Sequence, residues 1–91
     1  MQVDIETEVE LLEKTVETDI QKLIIFNDDV NTFDWVIDTL MHVCKHTSEQ
    51  AEQCTLIIHY KGKCSVKEGV FDDLLPMRNA ICDRGISAEI H

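Results

Sequence analysis

The run Leu23-Ile24-Ile25-Phe26, closed by the turn formers Asn27-Asp28-Asp29, constrains this chain more than any other stretch. A β-branched and aromatic tetrapeptide bounded in this way reads as a buried strand that ends in a loop. The chain has 91 residues, and at that size only about 60–68% of the unfolded surface is buried, so one core must serve. Whatever follows Asp29 must therefore fold back onto that strand.

The segments that follow supply the cover. Asn31 or Thr32 can cap a helix whose apolar positions Phe33, Val36, Ile37, Leu40, Met41 and Cys44 keep the 3.6-residue period, and the spacing predicts a helix over 33–45. Asp34 lies early enough to favour its dipole. Thr47-Ser48-Glu49-Gln50 has the form of a capping box, so a second helix starts there, with Ala51, Cys54, Ile57 and Ile58 on its apolar face and Gly62 as its left-handed stop. Lys63-Cys64-Ser65-Val66-Lys67 alternates as a half-exposed strand that Gly69 breaks. Phe71, Leu74, Leu75, Met77, Ile81 and Cys82 form a third helical stripe ending at Arg84-Gly85. Pro76 interrupts that stripe, so either Asp72 or Asp73 caps the helix with Pro76 in its first turn, or the helix is kinked. Ile86, Ala88 and Ile90 then alternate with Ser87 and Glu89 as a last strand. The expected fold is α+β, a small three-stranded antiparallel sheet with three helices on one face in the order βααβαβ.

Residues 1–20 stand apart from this pattern. They hold seven acids and one base, which is −6 of a total charge of −10. Val3, Ile5, Val9 and Leu11 alternate like a strand while Ile5, Val9, Leu12, Val16 and Ile20 recur like a helix stripe, so neither period wins. The reading is a flexible acidic N-terminal extension over 1–20, or a segment that orders on a partner, ahead of a folded unit over 21–91.

Charge also excludes partners. A protein at −10 with scattered Lys and Arg repels phosphate backbones and anionic lipid surfaces, so neither nucleic acid nor membrane is expected to bind. No apolar stretch approaches the roughly 20 residues that cross a bilayer. The start of the chain is acidic where a secretory signal is basic and then apolar, and the expected location is the cytoplasm.

Four cysteines, Cys44, Cys54, Cys64 and Cys82, lie among apolar neighbours without a C-x-x-C pair and read as reduced core thiols. The run His42-Val43-Cys44-Lys45-His46 does not suit a metal, because residues two apart diverge on a helix and Lys45 opposes a cation; no metal and no cofactor are expected. Two polar clusters remain. Asn27-Asp28-Asp29-Val30-Asn31 is either a turn with a cap or a nest of acceptors suited to a metal or an ammonium group. His59-Tyr60-Lys61-Gly62-Lys63 holds a His that serves either as a dipole partner at a helix end or as an acceptor and proton carrier. With no G-x-S-x-G, no phosphate-binding glycine loop and no H-E-x-x-H, the chain is not expected to be an enzyme.

Taken in order, Leu23-Ile24-Ile25-Phe26-Asn27-Asp28-Asp29, Phe33-Asp34-Trp35-Val36-Ile37-Asp38-Thr39-Leu40 and His59-Tyr60-Lys61-Gly62-Lys63 resemble the ClpS adaptor family, over about residues 21–91. The resemblance implies a monomeric adaptor that recognises proteins with a destabilising N-terminal residue (Leu, Phe, Tyr or Trp) and delivers them to a Clp-type AAA+ unfoldase, ClpA-like or ClpC-like, through the N-terminal domain of that unfoldase. By the same resemblance, Asn27, Asp29 and His59, with Asp28 beside them, bind the substrate's α-amino group, which is largely cationic at neutral pH and wants acceptors. The walls of an apolar side-chain pocket fall on Asn31, Phe33, Val36, Thr55, Ile58 and Ile86, and the unfoldase contact on Asp72, Asp73 and Arg78. Residues 1–20 become the arm that assists delivery. Where the family usually has T-P this chain has Asn31-Thr32, and Phe33 and Thr55 stand where it often has Met. These changes motivate a rival reading, an unfoldase-binding modulator whose N-degron recognition is altered or lost.

Overall fold

Gln21–Phe26 (β1) is the middle strand of the sheet in a computed structural model that describes residues 19–91. The proposed acidic arm therefore lies outside the described residues, apart from Asp19 and Ile20, which lead into β1 as exposed chain. The remaining elements are α1 (Phe33–Val43), α2 (Ser48–Lys61), β2 (Lys63–Gly69), α3 (Phe71–Asp83) and β3 (Ala88–Ile90). The order is βααβαβ, and both outer strands run antiparallel to β1 in the spatial order β2-β1-β3. The expected α+β architecture is the observed one.

Strand alternation decides which side of β1 is covered. Leu23 and Ile25 are fully buried, whereas Lys22 is exposed and Ile24 half-buried. The helices cover the first face with Val36 and Leu40 from α1, Ala51 and Ile58 from α2, and Leu74 and Ile81 from α3. Register along β2 slips by one residue between Leu23 and Ile24, whose partners are Lys67 and Ser65, so Val66 is the extra residue of a bulge. The bulge turns Val66 into the core, and its carbonyl takes a 2.7 Å hydrogen bond from Nε2 of His46 in the α1–α2 connection.

The helix ends differ from the sequence reading in instructive ways. Thr32, not Asn31, caps α1, its hydroxyl accepting from Trp35 N, and the helix stops at Val43 rather than at 45. Lys45 there takes a left-handed φ of 60° and His46 N reaches back to Leu40 O at 3.3 Å, a closure that sequence marks poorly when no glycine supplies it. The capping box of Thr47 and Gln50 is present as expected, and Gly62 ends α2 at φ 91°. The buried stripe of α2 is Ala51, Thr55 and Ile58, while Ile57, expected on that face, is 39% exposed. A hydroxyl replaces an alkyl group in the core because Thr55 donates to Ala51 O at 2.7 Å, just as buried Thr39 donates to Trp35 O at 2.8 Å.

Neither Asp72 nor Asp73 caps α3. Val70 holds the N-cap position without any side-chain bond, both aspartates sit in the first turn, and the helix continues through Pro76. β2 extends to Gly69, which pairs with Gln21 instead of ending the strand early. Ile86 precedes β3 rather than belonging to it, yet it is 2% exposed, so the expected alternation describes burial better than hydrogen bonding. Of the cysteines, Cys44 is buried and the other three are half-buried, all as free thiols. No helix among the described residues is long and apolar enough to cross a membrane.

Candidate functional site

Leaving β1, the chain makes a short polar loop over residues 27–32 before α1 begins. Its shape is set by Asp28. One carboxylate oxygen accepts from Val30 N and Asn31 N at 2.8 Å each, and the other accepts from Asn31 Nδ2 at 2.7 Å. These donors hold the Asp28 carboxyl below its ordinary value, the Asn31 backbone N–H contributing most and partial burial opposing it. Asp28 is therefore a brace inside the loop, with most of its acceptor capacity already used. Of the two readings of this cluster, Asp28 follows the turn reading.

Backbone bonding joins the loop to the end of α2. Asn27 N donates to Gly62 O at 2.8 Å, and Gly62 N closes α2 onto Ile58 O at 2.9 Å. Because Gly62 adopts its left-handed φ without crowding, the last turn of α2 lies beside the loop and presents His59 to it. Among the described residues, the side chains of Asn27, Asp29 and His59 make no hydrogen bond, and all three are exposed.

These groups rim a cavity of about 290 Å³. Its lining includes Asn27, Asp28, Asp29 and His59, and also Asn31, Phe33, Val36, Thr55 and Ile58, so residues expected from three separate segments are brought together. The floor is formed by the most buried of them, Val36, Thr55 and Ile58, and Thr55 has spent its hydroxyl hydrogen on Ala51 O. Phe33 stands at the rim, 41% exposed, with its ring edge-on to His59 at a centroid distance of 5.0 Å. Tyr60 also packs against the imidazole, with ring centroids 5.0 Å apart. The cavity sits at the lower end of the roughly 300–1,000 Å³ common for small-ligand pockets, room for a single large side chain.

Two further groups of expected residues fall outside this lining: Ile86, and the unfoldase contact, which the resemblance itself sets apart from the pocket. Ile86 does not line this cavity; it borders a narrow void of about 20 Å³ that shares Asn27, Asp28, Asn31, Val36 and Ile58, and so supports the site from beneath. Asp72 and Asp73 line a different concavity together with Lys67, Gly69 and Pro76. Arg78 is turned away from them, its Nε donating to Ala88 O at 3.3 Å. Thr32, the cap of α1, also lines the cavity, and its place next to the loop is the feature of the sequence that points there.

Two of the thiols, Cys44 and Cys64, are chemically quiet. Burial pushes Cys44 up to about 11 and Cys64 up to about 12, the latter helped by neighbouring Cys54, so little nucleophilic thiolate exists near neutrality.

The depressed Asp28 carboxyl carries a pH prediction. Its contribution to stability is fully present above the unfolded value of 3.8 and is lost as pH falls through the lower folded value. Asp28→Ala is expected to cost about 1–2 kcal/mol near neutrality, because two loop N–H groups and an amide lose their acceptor. Thermal melts at pH 7 and pH 3 check this: the gap between wild type and variant should narrow in acid, and an equal gap at both pH values would contradict the bracing role.

Among the described residues, acceptors without side-chain partners stand around an apolar floor on a small α+β frame. The family model described as ATP-dependent Clp protease adaptor protein ClpS matches residues 6–87, and the chain belongs to that family of adaptors. It is similar to the ATP-dependent Clp protease adapter protein ClpS of Campylobacter jejuni, with 43% identity over 49 residues, 54% of this chain and 51% of that protein. The protein of the same name from Shewanella pealeana is 37% identical over 60 residues, 60% of this chain and 59% of the relative. The chain thus aligns with little more than half the length of these curated relatives. In three dimensions it is similar to ClpS2 of Agrobacterium tumefaciens bound to L-phenylalaninamide, with a TM-score of 0.69 and 15% identity over 80% of this chain and 95% of that one, a likeness of fold.

Proposed function

We propose that this chain is an N-degron adaptor, which holds a protein by its free α-amino group and first side chain and passes it to a Clp-type AAA+ unfoldase. The observation that carries this reading is the pairing of the unbonded acceptors Asn27, Asp29 and His59 with a cavity floored by Val36, Thr55 and Ile58. A cationic amine meets a carboxylate, a carboxamide and an imidazole, and an apolar side chain of the Leu, Phe, Tyr or Trp class fills the space below. Family membership supports the adaptor role, and the L-phenylalaninamide bound by the Agrobacterium ClpS2 combines the same two chemical features, an α-amino group and a large apolar side chain. Residues 1–20 serve delivery in this reading, and the proposed unfoldase contact is the concavity at Asp72 and Asp73 together with Arg78, which lies on the same helix but outside that concavity.

Titration of a fluorescent peptide beginning with Phe, followed by anisotropy and compared with its N-acetylated form, tests the clamp. Acetylation removes the cation and a donor, and the loss is expected to exceed tenfold, the equivalent of about 1.4 kcal/mol. Equal binding of the two peptides would sink the proposal.

One observation favours the rival reading of a modulator with altered N-degron recognition: the Phe33 ring packs edge-on against His59, one of the proposed clamp residues. Capture of the unfoldase without binding of any Leu, Phe, Tyr or Trp peptide would select that reading.

A further inference from the structure

The loop that carries the proposed clamp is held by a second structure behind it. Asn31 Nδ2 donates not only to Asp28 but also to Gly85 O at 2.9 Å, a residue 54 positions away in the turn between α3 and β3. The preceding carbonyl, that of Arg84, accepts from Trp35 Nε1 at 2.9 Å. The Arg84 guanidinium then lies over the same indole, 4.4 Å from the ring centroid, and meets Asp38 Oδ2 at 2.7 Å. Trp35 and Asp38 both stand on α1, whose N-cap is the end of the loop. The bonds therefore form a closed circuit that runs from the loop through Asn31 to the turn, and back through Trp35 and Asp38 to α1.

We infer that Trp35, Asp38 and Arg84 are positioning residues for N-terminus recognition: they fix the α3–β3 turn so that Asn31 can lock Asp28, and with it the unbonded carboxylate of Asp29. This rests on the proposed N-degron reading for its ligand but not for its geometry. None of the three lines the cavity, so their effect reaches it only through the loop. Among the described residues the Asp29 side chain has no bond of its own, and its placement depends on the two residues beside it being held. Gly85 takes part because its φ of 85° turns its carbonyl toward Asn31 in a conformation that other residues adopt at a cost. The circuit also accounts for Ile86, which the turn pins beneath the loop instead of in the cavity wall.

Trp35→Phe is one probe, since it keeps an aromatic face for Arg84 while removing the Nε1 donor together with part of the ring; Arg84→Gln removes the pairing with Asp38 and the cation over the ring. Two readouts on the full chain separate positioning from general stability. The first is amide hydrogen exchange at Val30 and Asn31, whose N–H groups point at Asp28. Both variants are expected to accelerate exchange there by about tenfold, with core amides of β1 unchanged. The second is affinity for a Phe-initiated peptide and its N-acetylated form. Each variant should lose about fivefold to tenfold for the free amine and little for the acetylated peptide, with the order of preference among Leu, Phe, Tyr and Trp kept. Unchanged exchange at Val30 and Asn31 would overturn the inference, as would acceleration spread evenly over the whole chain. If the wild type itself fails to distinguish the two peptides, the N-degron reading fails, and the exchange result still decides whether the circuit holds the loop.

Discussion

Asp29→Ala is expected to weaken binding of a Phe-initiated peptide by roughly 10- to 150-fold, the span of about 1.5–3 kcal/mol for a hydrogen bond to a charged partner. The variant should melt within a degree or two of the wild type, because Asp29 is exposed and its carboxylate has no partner among the described residues. Asp28→Ala provides the contrast, since it removes an acceptor already committed to Val30 and Asn31 and should reduce stability as well as affinity. Isothermal titration and thermal melts on both variants separate a group that waits for a ligand from one that holds the loop. If Asp29→Ala binds as the wild type does, the α-amino clamp is not where it has been assigned.

The largest effect on stability is expected at Leu40, which is fully buried among helices and sheet. Leu40→Ala should cost about 3–5 kcal/mol, the lost transfer energy plus the cavity left behind. For a fold of this size each kcal/mol moves the midpoint by about 4–8 °C, so the variant should be close to unfolded at ordinary temperatures. Ile57→Ala should cost under about 1 kcal/mol, since Ile57 remains 39% exposed although its spacing placed it on the apolar face of α2. Circular dichroism melts compare the two directly, and a comparable loss at both positions would mean that α2 is rotated relative to the sheet.

Much of the fold is legible in the sequence. The tetrapeptide Leu23–Phe26 behaves as the central strand, because a short β-branched run with turn formers after it leaves few other options. The capping box at Thr47 and the stop at Gly62 are local devices encoded within a few residues, and both are present. Boundaries without such a device were less legible. α1 ends two residues early at a non-glycine left-handed residue, and α3 starts at an uncapped Val70, where nearby aspartates suggested otherwise. Thr55 and Ile57 exchange places between surface and core because a hydroxyl can satisfy itself on its own helix, something hydrophobic spacing alone does not register.

The candidate site divides in the same way. Sequence alone determined which residue types the chain holds in reserve: acceptors in a loop after β1, a His at the end of α2, and apolar residues at helical spacing between them. Local bonding rules act over three or four residues, and these features lie within that reach. Only tertiary structure decided that the loop and the end of α2 meet, through Asn27 N and Gly62 O, and that Asp28 braces while Asp29 stays free. Tertiary structure likewise put Ile86 under the site and sent Asn31 to a carbonyl 54 residues away. The reason is physical: a hydrogen bond between distant segments depends on how the core packs them, and no spacing within one segment records where another segment's carbonyl will point.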